Sequence, residues 1–327
     1  MQRIREKEKM FTTTVKSTTE EDISILVQKD NHSWNYLCDC GEASLLTVKE
    51  IQNTKAVFIS HTHIDHFINF DAIIRHQIGT ELYVIIIGPK GIATQVQSKL
   101  KGYTWNLINQ DSITYEVREV ISANYYIVYE LKPPIWELKK VKEVTNKQIF
   151  EDKDFSVSCV LLDHKIPTVA YKFQEKEKIK INIKKSDFKP GKWVKELKEA
   201  FENNDKEKEI IIAENNYSAE DLFYLLEVQL GDSLGIIMDH APNEKNHQKI
   251  QEHFKDCETV YIESFYLNED KELAIKNFHS YAAKSGEIAK KSRIKNPIPV
   301  HFSRKYKSAQ IEQLQQEFYT AFKSTIV

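Results

Sequence analysis

The chain has 327 residues, of which 41% are hydrophobic and 29% are charged, and its formal net charge is −2. This composition suits a globular protein with a sizeable core and excludes a chain that is basic throughout, so any nucleic-acid contact must come from a local patch. No apolar run approaches the roughly 18 residues of a transmembrane helix. Four cysteines in a chain of this length are too sparse for a disulfide scaffold, which favours a reduced, cytoplasmic protein, and they form no CxxC pair.

Strand and helix patterns alternate along the chain, which predicts a layered α/β fold. Residues 1–10 are charged and lack an apolar core, so we expect a frayed leader there and one domain over 11–327. The predicted strands are 23–27, 34–38, 56–60, 82–87, 113–117, 125–131, 155–161, 169–173, 234–238, 260–262 and 298–300. The predicted helices are 45–51, 67–76, 92–100 and 308–322.

The most informative segment follows the apolar run 56–60 and reads His61-Thr62-His63-Ile64-Asp65-His66. Imidazoles and carboxylates are the ligands that zinc accepts. Further histidines and carboxylates stand where later apolar strands end, and strand ends that share one sheet edge form sites in α/β proteins. The sequence therefore predicts two metal ions. One would be held by His61, His63 and His164, the other by Asp65, His66 and His301, and Asp239 would bridge them. Each distant residue, taken alone, could instead be a buried polar group with ordinary partners.

These segments resemble the metallo-β-lactamase superfamily, and within it the ribonuclease Z family of tRNA 3′-processing endonucleases. The superfamily motif HxHxDH stands at 61–66, after an acidic turn at 39–42 that also matches. Asp163-His164, with Pro167 and Tyr171, resembles the third metal-binding segment of the family. Three later segments resemble the HEAT, HST and HxSxRY motifs of ribonuclease Z; they are Tyr261-Ile262-Glu263-Ser264, His279-Ser280-Tyr281-Ala282 and His301-Phe302-Ser303-Arg304-Lys305-Tyr306.

The resemblance covers about residues 37–306 and implies an αββα sandwich, two zinc ions per chain (with manganese possible), hydrolysis of a phosphodiester and a homodimer. It implies that Asp65 belongs to the catalytic centre, that His279 protonates the leaving 3′-oxygen, and that Glu263 holds the other nitrogen of His279. The chain also departs from the family. The Gly-rich opening strand is missing, Asp239 stands in Met-Asp-His instead of Gly-Asp-Thr, Ile262 replaces the His of HEAT, and Tyr281 replaces the Thr of HST.

These departures leave the substrate open. The first hypothesis is removal of the 3′ trailer from precursor tRNA, and the alternative is hydrolysis of a small phosphodiester such as a cyclic nucleotide. A non-catalytic RNA-binding relative is a third hypothesis, against which the complete ligand set argues.

A lysine-rich segment follows the third metal-binding segment. Residues 176–198 contain nine lysines and three acidic residues, and the resemblance places an inserted RNA-binding arm here, at 174–209. Basic residues interleaved with aromatic ones suit phosphate and stacking contacts. The candidate substrate contacts are Lys184, Lys185, Lys189, Lys192 and Trp193. The alternative is an ordinary solvated helix at 193–201.

Overall fold

The computed structural model describes residues 9–324 and divides the chain into two compact units. The first unit comprises the described residues up to Gln174 together with those from Asp232 onward, and the second is Glu175–Gly231. The predicted leader at 1–10 lies outside the described residues except for Lys9 and Met10. Within the described part of the chain, no helix is both long enough and apolar enough to cross a bilayer.

The first sheet of the first unit has eight strands that lie in chain order. They are β1 (Phe11–Val15), β2 (Ile25–Lys29), β3 (Asn35–Cys38), β4 (Thr54–Phe58), β5 (Tyr83–Pro89), β6 (Thr114–Ser122), β7 (Tyr125–Leu131) and β8 (Lys139–Thr145). Strands β3 to β6 pair in parallel, and the strands on either side pair antiparallel. Helices α1 (Val48–Gln52), α2 (Ile64–Phe67), α3 (Phe70–Gln77) and α4 (Ile92–Lys101) follow β3, β4 and β5.

The second sheet has six strands and contains the parallel set that ends at the predicted site. Its strands are β9 (Gln148–Glu151), β10 (Phe155–Asp163), β11 (Pro167–Glu175), β16 (Ser233–Ile237), β17 (Thr259–Glu263) and β18 (Asn296–Val300), in the order β18-β17-β16-β11-β10-β9. The intervening strands belong to the second unit; they are β12 (Lys178–Ile181), β13 (Glu209–Ile212), β14 (Asn215–Ser218) and β15 (Leu226–Gln229). Strands β16, β17 and β18 are mutually parallel, so their carboxyl ends meet at one edge.

Three apolar clusters hold the first unit together as four layers. One cluster takes side chains from both sheets, as in the contact between Phe58 and Phe173, whose ring centroids are 5.0 Å apart. A second lies between the first sheet and α1–α4. The third lies between the second sheet and α7 (Glu244–His253), α8 (Lys271–Asn277), α9 (Ala282–Lys291) and α10 (Ser308–Lys323). Since an amphipathic helix must bury its apolar face, this sequence of layers confirms the predicted αββα sandwich.

The second unit has a small core of its own. It contains helices α5 (Trp193–Glu202) and α6 (Ala219–Leu222), the hairpin of β13 and β14, and the antiparallel pair β12 and β15. Trp193, Leu197, Ile210 and Leu225 are buried together. The unit ends at Gly231, so the folded insertion is longer than the arm predicted at 174–209.

Two elements of the first unit differ from the sequence prediction in instructive ways. The helix expected at 67–76 is split into α2 and α3, because the N–H of Asn69 turns back and donates to the carbonyl of Cys40. Strand β8 was not predicted; it is an edge strand whose residues are nearly all exposed, so it has no apolar alternation to reveal it.

Candidate metal centre

The predicted metal ligands come from the ends of four strands and from one short helix. His61 and His63 follow β4, and His63 precedes α2, whose single turn carries Asp65 and His66. His164 follows β10, while Asp239 and His301 lie just past β16 and β18. His301 has a positive φ of 57°, so the backbone turns sharply at the end of its strand.

The structure brings all seven predicted ligands together in the two groups that the sequence indicated. Potential ligand atoms lie within 4.8 Å of one another in the group of His61, His63, His164 and Asp239 and in the group of Asp65, His66 and His301. All except His63 and Asp65 are buried or nearly so. The exposed imidazole of His63 therefore marks the open side of the first group.

Asp239 faces both groups with different oxygens. Its Oδ2 lies 3.6 Å from Nε2 of His61 and 3.4 Å from Nε2 of His164. Its Oδ1 lies 3.3 Å from Nε2 of His66 and 2.8 Å from Nε2 of His301. A carboxylate in this position can bridge two cations, which is the role that the sequence assigned to it.

Several of these buried atoms have no hydrogen-bond partner, and this gives a test of whether a metal fits. They are Nε2 of His61, His66 and His301 and Oδ1 of Asp239. The 2.8 Å approach of His301 to Asp239 therefore lacks the alignment of a hydrogen bond. A buried polar atom without a partner costs roughly 1–3 kcal/mol. Imidazole nitrogens and carboxylate oxygens that converge in this way fit zinc.

Groups behind the ligands fix which nitrogen of each imidazole faces the centre. Nδ1–H of His66 donates to Oδ2 of Asp39 at 2.8 Å, and Nδ1–H of His164 donates to the carbonyl of Phe278 at 2.7 Å. Asp39 also accepts from the N–H and hydroxyl of Ser60, at 2.6 and 2.8 Å. The acidic turn noted in the sequence thus orients a ligand, because binding of Nδ1 leaves Nε2 for a metal.

Burial and neighbouring charge set the protonation of the cluster. Burial lowers the pKa of His61 well below its usual range, and burial together with His164 lowers the pKa of His63. Burial alone would raise the pKa of Asp239, but His301 and His66 hold it well below the ordinary value. Neutral imidazoles at His61 and His63 and an ionised carboxylate at Asp239 are forms that bind metal. Burial alone would lower the pKa of His66, but Asp239 and Asp39 raise it well above its usual range, so a metal ion would have to displace a proton there.

His279 and Glu263 form a pair beside the two groups. Nδ1–H of His279 donates to Oε1 of Glu263, and Oε2 of Glu263 accepts from the backbone N–H groups of His240 and Ser280, both at 3.1 Å. Burial alone would lower the pKa of His279, but the charge of Glu263 and its hydrogen bond raise it to about 9. The side chain of His279 is 14% exposed, and its Nε2 is the nitrogen that Glu263 leaves free.

Two contacts of this pair could not be found from the sequence. The ring of Phe265 stacks on the imidazole of His279, with centroids 3.9 Å apart and planes 9° apart. His240 contributes its backbone N–H to Glu263 while its own Nδ1 bonds the carbonyl of Met238. Neither contact has a signal in the sequence. An aromatic residue after a strand usually belongs to the core, and a backbone N–H donor does not depend on the type of residue that carries it.

The predicted substrate contacts lie in the second unit and divide into two kinds. Lys184, Lys185, Lys189 and Lys192 are exposed, and Lys185 lies 3.4 Å from Glu227. Trp193 is only 5% exposed; it packs against Phe188, and its indole N–H donates to the carbonyl of Lys189. Trp193 was predicted as a substrate contact, but its ring belongs to the core of the unit and presents no exposed face to a base.

The chain is similar in sequence to ribonuclease Z of Deinococcus radiodurans, with 26% identity over 84% of this chain and 83% of that protein. In structure it is similar to the short form of human tRNase Z, with a TM-score of 0.56, 16% identity and coverage of 89% of this chain and 90% of the other. The metallo-β-lactamase fold protein YhfI of Bacillus subtilis also gives a TM-score of 0.56, at 12% identity and with 95% and 93% of the two chains covered. No protein-family model matches the chain. The chain has the metallo-β-lactamase fold and is a homologue of ribonuclease Z.

Proposed function

We propose that the chain is a metal-dependent endoribonuclease that removes the 3′ trailer of precursor tRNA. The observation that carries the proposal is the bridging position of Asp239 between two ligand groups, with His279 3.7 Å from the same carboxylate. Such a site combines the ligands of a two-ion centre with a proton donor, and both accelerate phosphodiester cleavage. The similarity to ribonuclease Z supplies the class of substrate.

The residues that would hold the ions are the seven predicted ligands, with zinc as the expected metal and manganese as a possible substitute. Bound ions would stabilise negative charge on the phosphoryl oxygens and lower the pKa of a water molecule. Asp65 is one of these ligands; its Oδ2 lies 3.6 Å from Nε2 of His66 and 3.9 Å from Nε2 of His301. Asp65 therefore lies between His66 of the HxHxDH motif and His301 at the end of β18.

His279 would act as the general acid. Its Nδ1 is bound by Glu263, so Nε2–H is the proton that can pass to the leaving 3′-oxygen. Glu263 is itself held by two backbone N–H groups, which keeps the pair in one geometry. Removal of a general acid typically slows a reaction about 10²–10⁴-fold, so we expect a loss of that size in His279→Ala with the metal content unchanged.

The exposed lysines of the second unit would bind the phosphates of the tRNA body. Phosphate contacts act mainly through counterion release, so they give affinity that falls with salt and little sequence preference. This function is consistent with their exposure, and Trp193 has no part in it.

Hydrolysis of a small phosphodiester, such as a cyclic nucleotide, is the second candidate. One observation favours it: over the whole second unit, 175–231, eleven lysines face thirteen acidic residues. The unit as a whole is therefore not basic, although its first half is. The homodimer expected from the resemblance and the cytoplasmic location expected from the cysteine content remain predictions, and light scattering on the purified protein would test the first.

A cleavage assay separates the two candidates. The metal-loaded protein is incubated with a precursor tRNA, with the mature tRNA and with a small phosphodiester, and His63→Ala serves as the inactive control. A single cut at the 3′ end of the tRNA supports the first candidate. Hydrolysis of the small diester without any cut in precursor tRNA favours the second.

A further inference from the structure

Phe265 lies two residues after Glu263, just past the end of β17, and covers one face of the His279 imidazole. The two rings are nearly parallel, with centroids 3.9 Å apart and planes 9° apart. His164 packs edge-on against the same imidazole at 4.7 Å. Phe265 also lies 5.1 Å from the ring of His301. The proposed proton donor is thus enclosed by aromatic rings as well as hydrogen-bonded.

The hydrogen bond to Glu263 does not determine the orientation of His279 by itself. It fixes the direction of the Nδ1–H bond, but small changes in χ1 and χ2 can still turn the ring about the line from Nδ1 to Oε1 of Glu263 without breaking that bond. Rotation about that line moves Nε2, the atom that must meet the leaving oxygen. A flat ring in face contact opposes this rotation, because any tilt of the imidazole would collide with it or lose the contact.

We propose that Phe265 is a positioning residue that sets the plane of the His279 imidazole and so aims Nε2–H at the leaving 3′-oxygen; this inference rests on the role given to His279 in the proposed function. In the step concerned, a water oxygen bonds to phosphorus as the bond from phosphorus to the 3′-oxygen breaks. The electron pair of that bond stays on the 3′-oxygen, and the proton of Nε2 passes to it. The proton lost by the attacking water leaves to solvent.

The test compares Phe265→Leu, which keeps much of the apolar volume but removes the flat ring, with Phe265→Tyr, which keeps the ring. Each metal-loaded variant is assayed on a dinucleotide, whose leaving group is a 3′-oxygen, and on the p-nitrophenyl ester of thymidine 5′-phosphate. We expect Phe265→Leu to lower kcat on the dinucleotide about 10–10²-fold with little change in KM, since misplacement of a reacting group by about 1 Å costs up to 10²-fold. The p-nitrophenyl ester should be hydrolysed at the wild-type rate, because its leaving group needs no proton.

Phe265→Tyr should restore dinucleotide cleavage to within about threefold of wild type. Equal losses on both substrates, or equal behaviour of the Leu and Tyr variants, would overturn the inference. A second measurement does not depend on turnover. In NMR spectra of protein with labelled histidine, the ring-current shift that Phe265 causes in the His279 signals should be lost in the Phe265→Leu variant and kept in the Phe265→Tyr variant. Metal content and thermal stability identify a variant that has failed to fold.

This design keeps the inference distinct from the proposed function. The leaving-group comparison uses no tRNA, so it holds or fails whatever the natural substrate is. If the wild-type protein never cuts precursor tRNA but the Phe265→Leu and Phe265→Tyr variants behave as expected on the small substrates, the tRNA hypothesis is refuted and the role of Phe265 stands.

Discussion

We expect Asp39 to control the affinity of one of the two predicted metal sites without being a ligand. Its buried carboxylate accepts three hydrogen bonds, from the N–H and hydroxyl of Ser60 and from Nδ1–H of His66. Asp39→Asn replaces one acceptor oxygen by an amide donor, so at least one of these donors must lose its partner. Loss of an outer partner of a ligating histidine typically weakens metal binding 10–100-fold, which corresponds to about 1.4–2.7 kcal/mol.

The weakening should be selective. His66, which Asp39 holds directly, belongs to the group with Asp65 and His301, whereas the other group reaches Asp39 only through Ser60, whose hydroxyl lies 3.1 Å from Nδ1 of His61. Competition with a zinc chelator should therefore resolve two affinities in wild type and show the larger loss, about 10–100-fold, at the site of His66. Asp232→Asn is a matched control, because this buried carboxylate accepts from the N–H groups of Met10 and Phe11 and precedes β16, whereas the ligand Asp239 follows the other end of that strand. Equal weakening of both sites, or none, would refute the reasoning.

Three further predictions test other parts of the molecule. His63→Ala should lose about one ion by elemental analysis and lose activity with it, since its group then keeps only two histidines and a shared carboxylate. Changing Lys184, Lys185, Lys189 and Lys192 to Ala should raise KM for precursor tRNA and flatten its dependence on salt, while the same change at the exposed β8 region (Lys139, Lys140, Lys142 and Lys147) should not. Burial lowers the pKa of His253 to about 4. The unfolded chain therefore binds more protons at this residue between about pH 6.5 and 4, and the stability of the metal-free protein should fall over that range as pH drops. His253→Gln should flatten this slope in denaturant titrations.

The strand ends and the ligands were predictable from sequence for one physical reason. A parallel strand that is buried on both faces is a short apolar run, as at 56–60, and the residue after it must lie at the sheet edge. His61, Asp239 and His301 all follow such runs, so their meeting required no knowledge of side-chain packing. The order of the layers was implied by the family resemblance and not by periodicity.

Other features depend on long-range packing and could not be predicted in this way. Trp193 was expected to face RNA because lysines surround it in sequence, but α5 turns its apolar side toward β13 and buries the indole. The extent of the insertion was underestimated because β12 pairs with β15, far along the chain, and not with a near neighbour. Phe265 could not be assigned a role because only the folded chain places it against His279.

The insertion leaves and re-enters the first unit at adjacent points. Strands β11 and β16 pair antiparallel, with Gln174 opposite Ser233, so the chain before the insertion and the chain after it are neighbours in one sheet. In topological terms, Glu175–Gly231 occupies the place of a hairpin turn. The entropy cost of closing a loop rises only slowly with the number of residues in it, so an insertion at such a point costs little stability. Evolution can therefore lengthen, shorten or exchange this module without altering the strands that carry the candidate metal centre, so the proposed substrate contacts and the proposed site of bond cleavage can diverge separately.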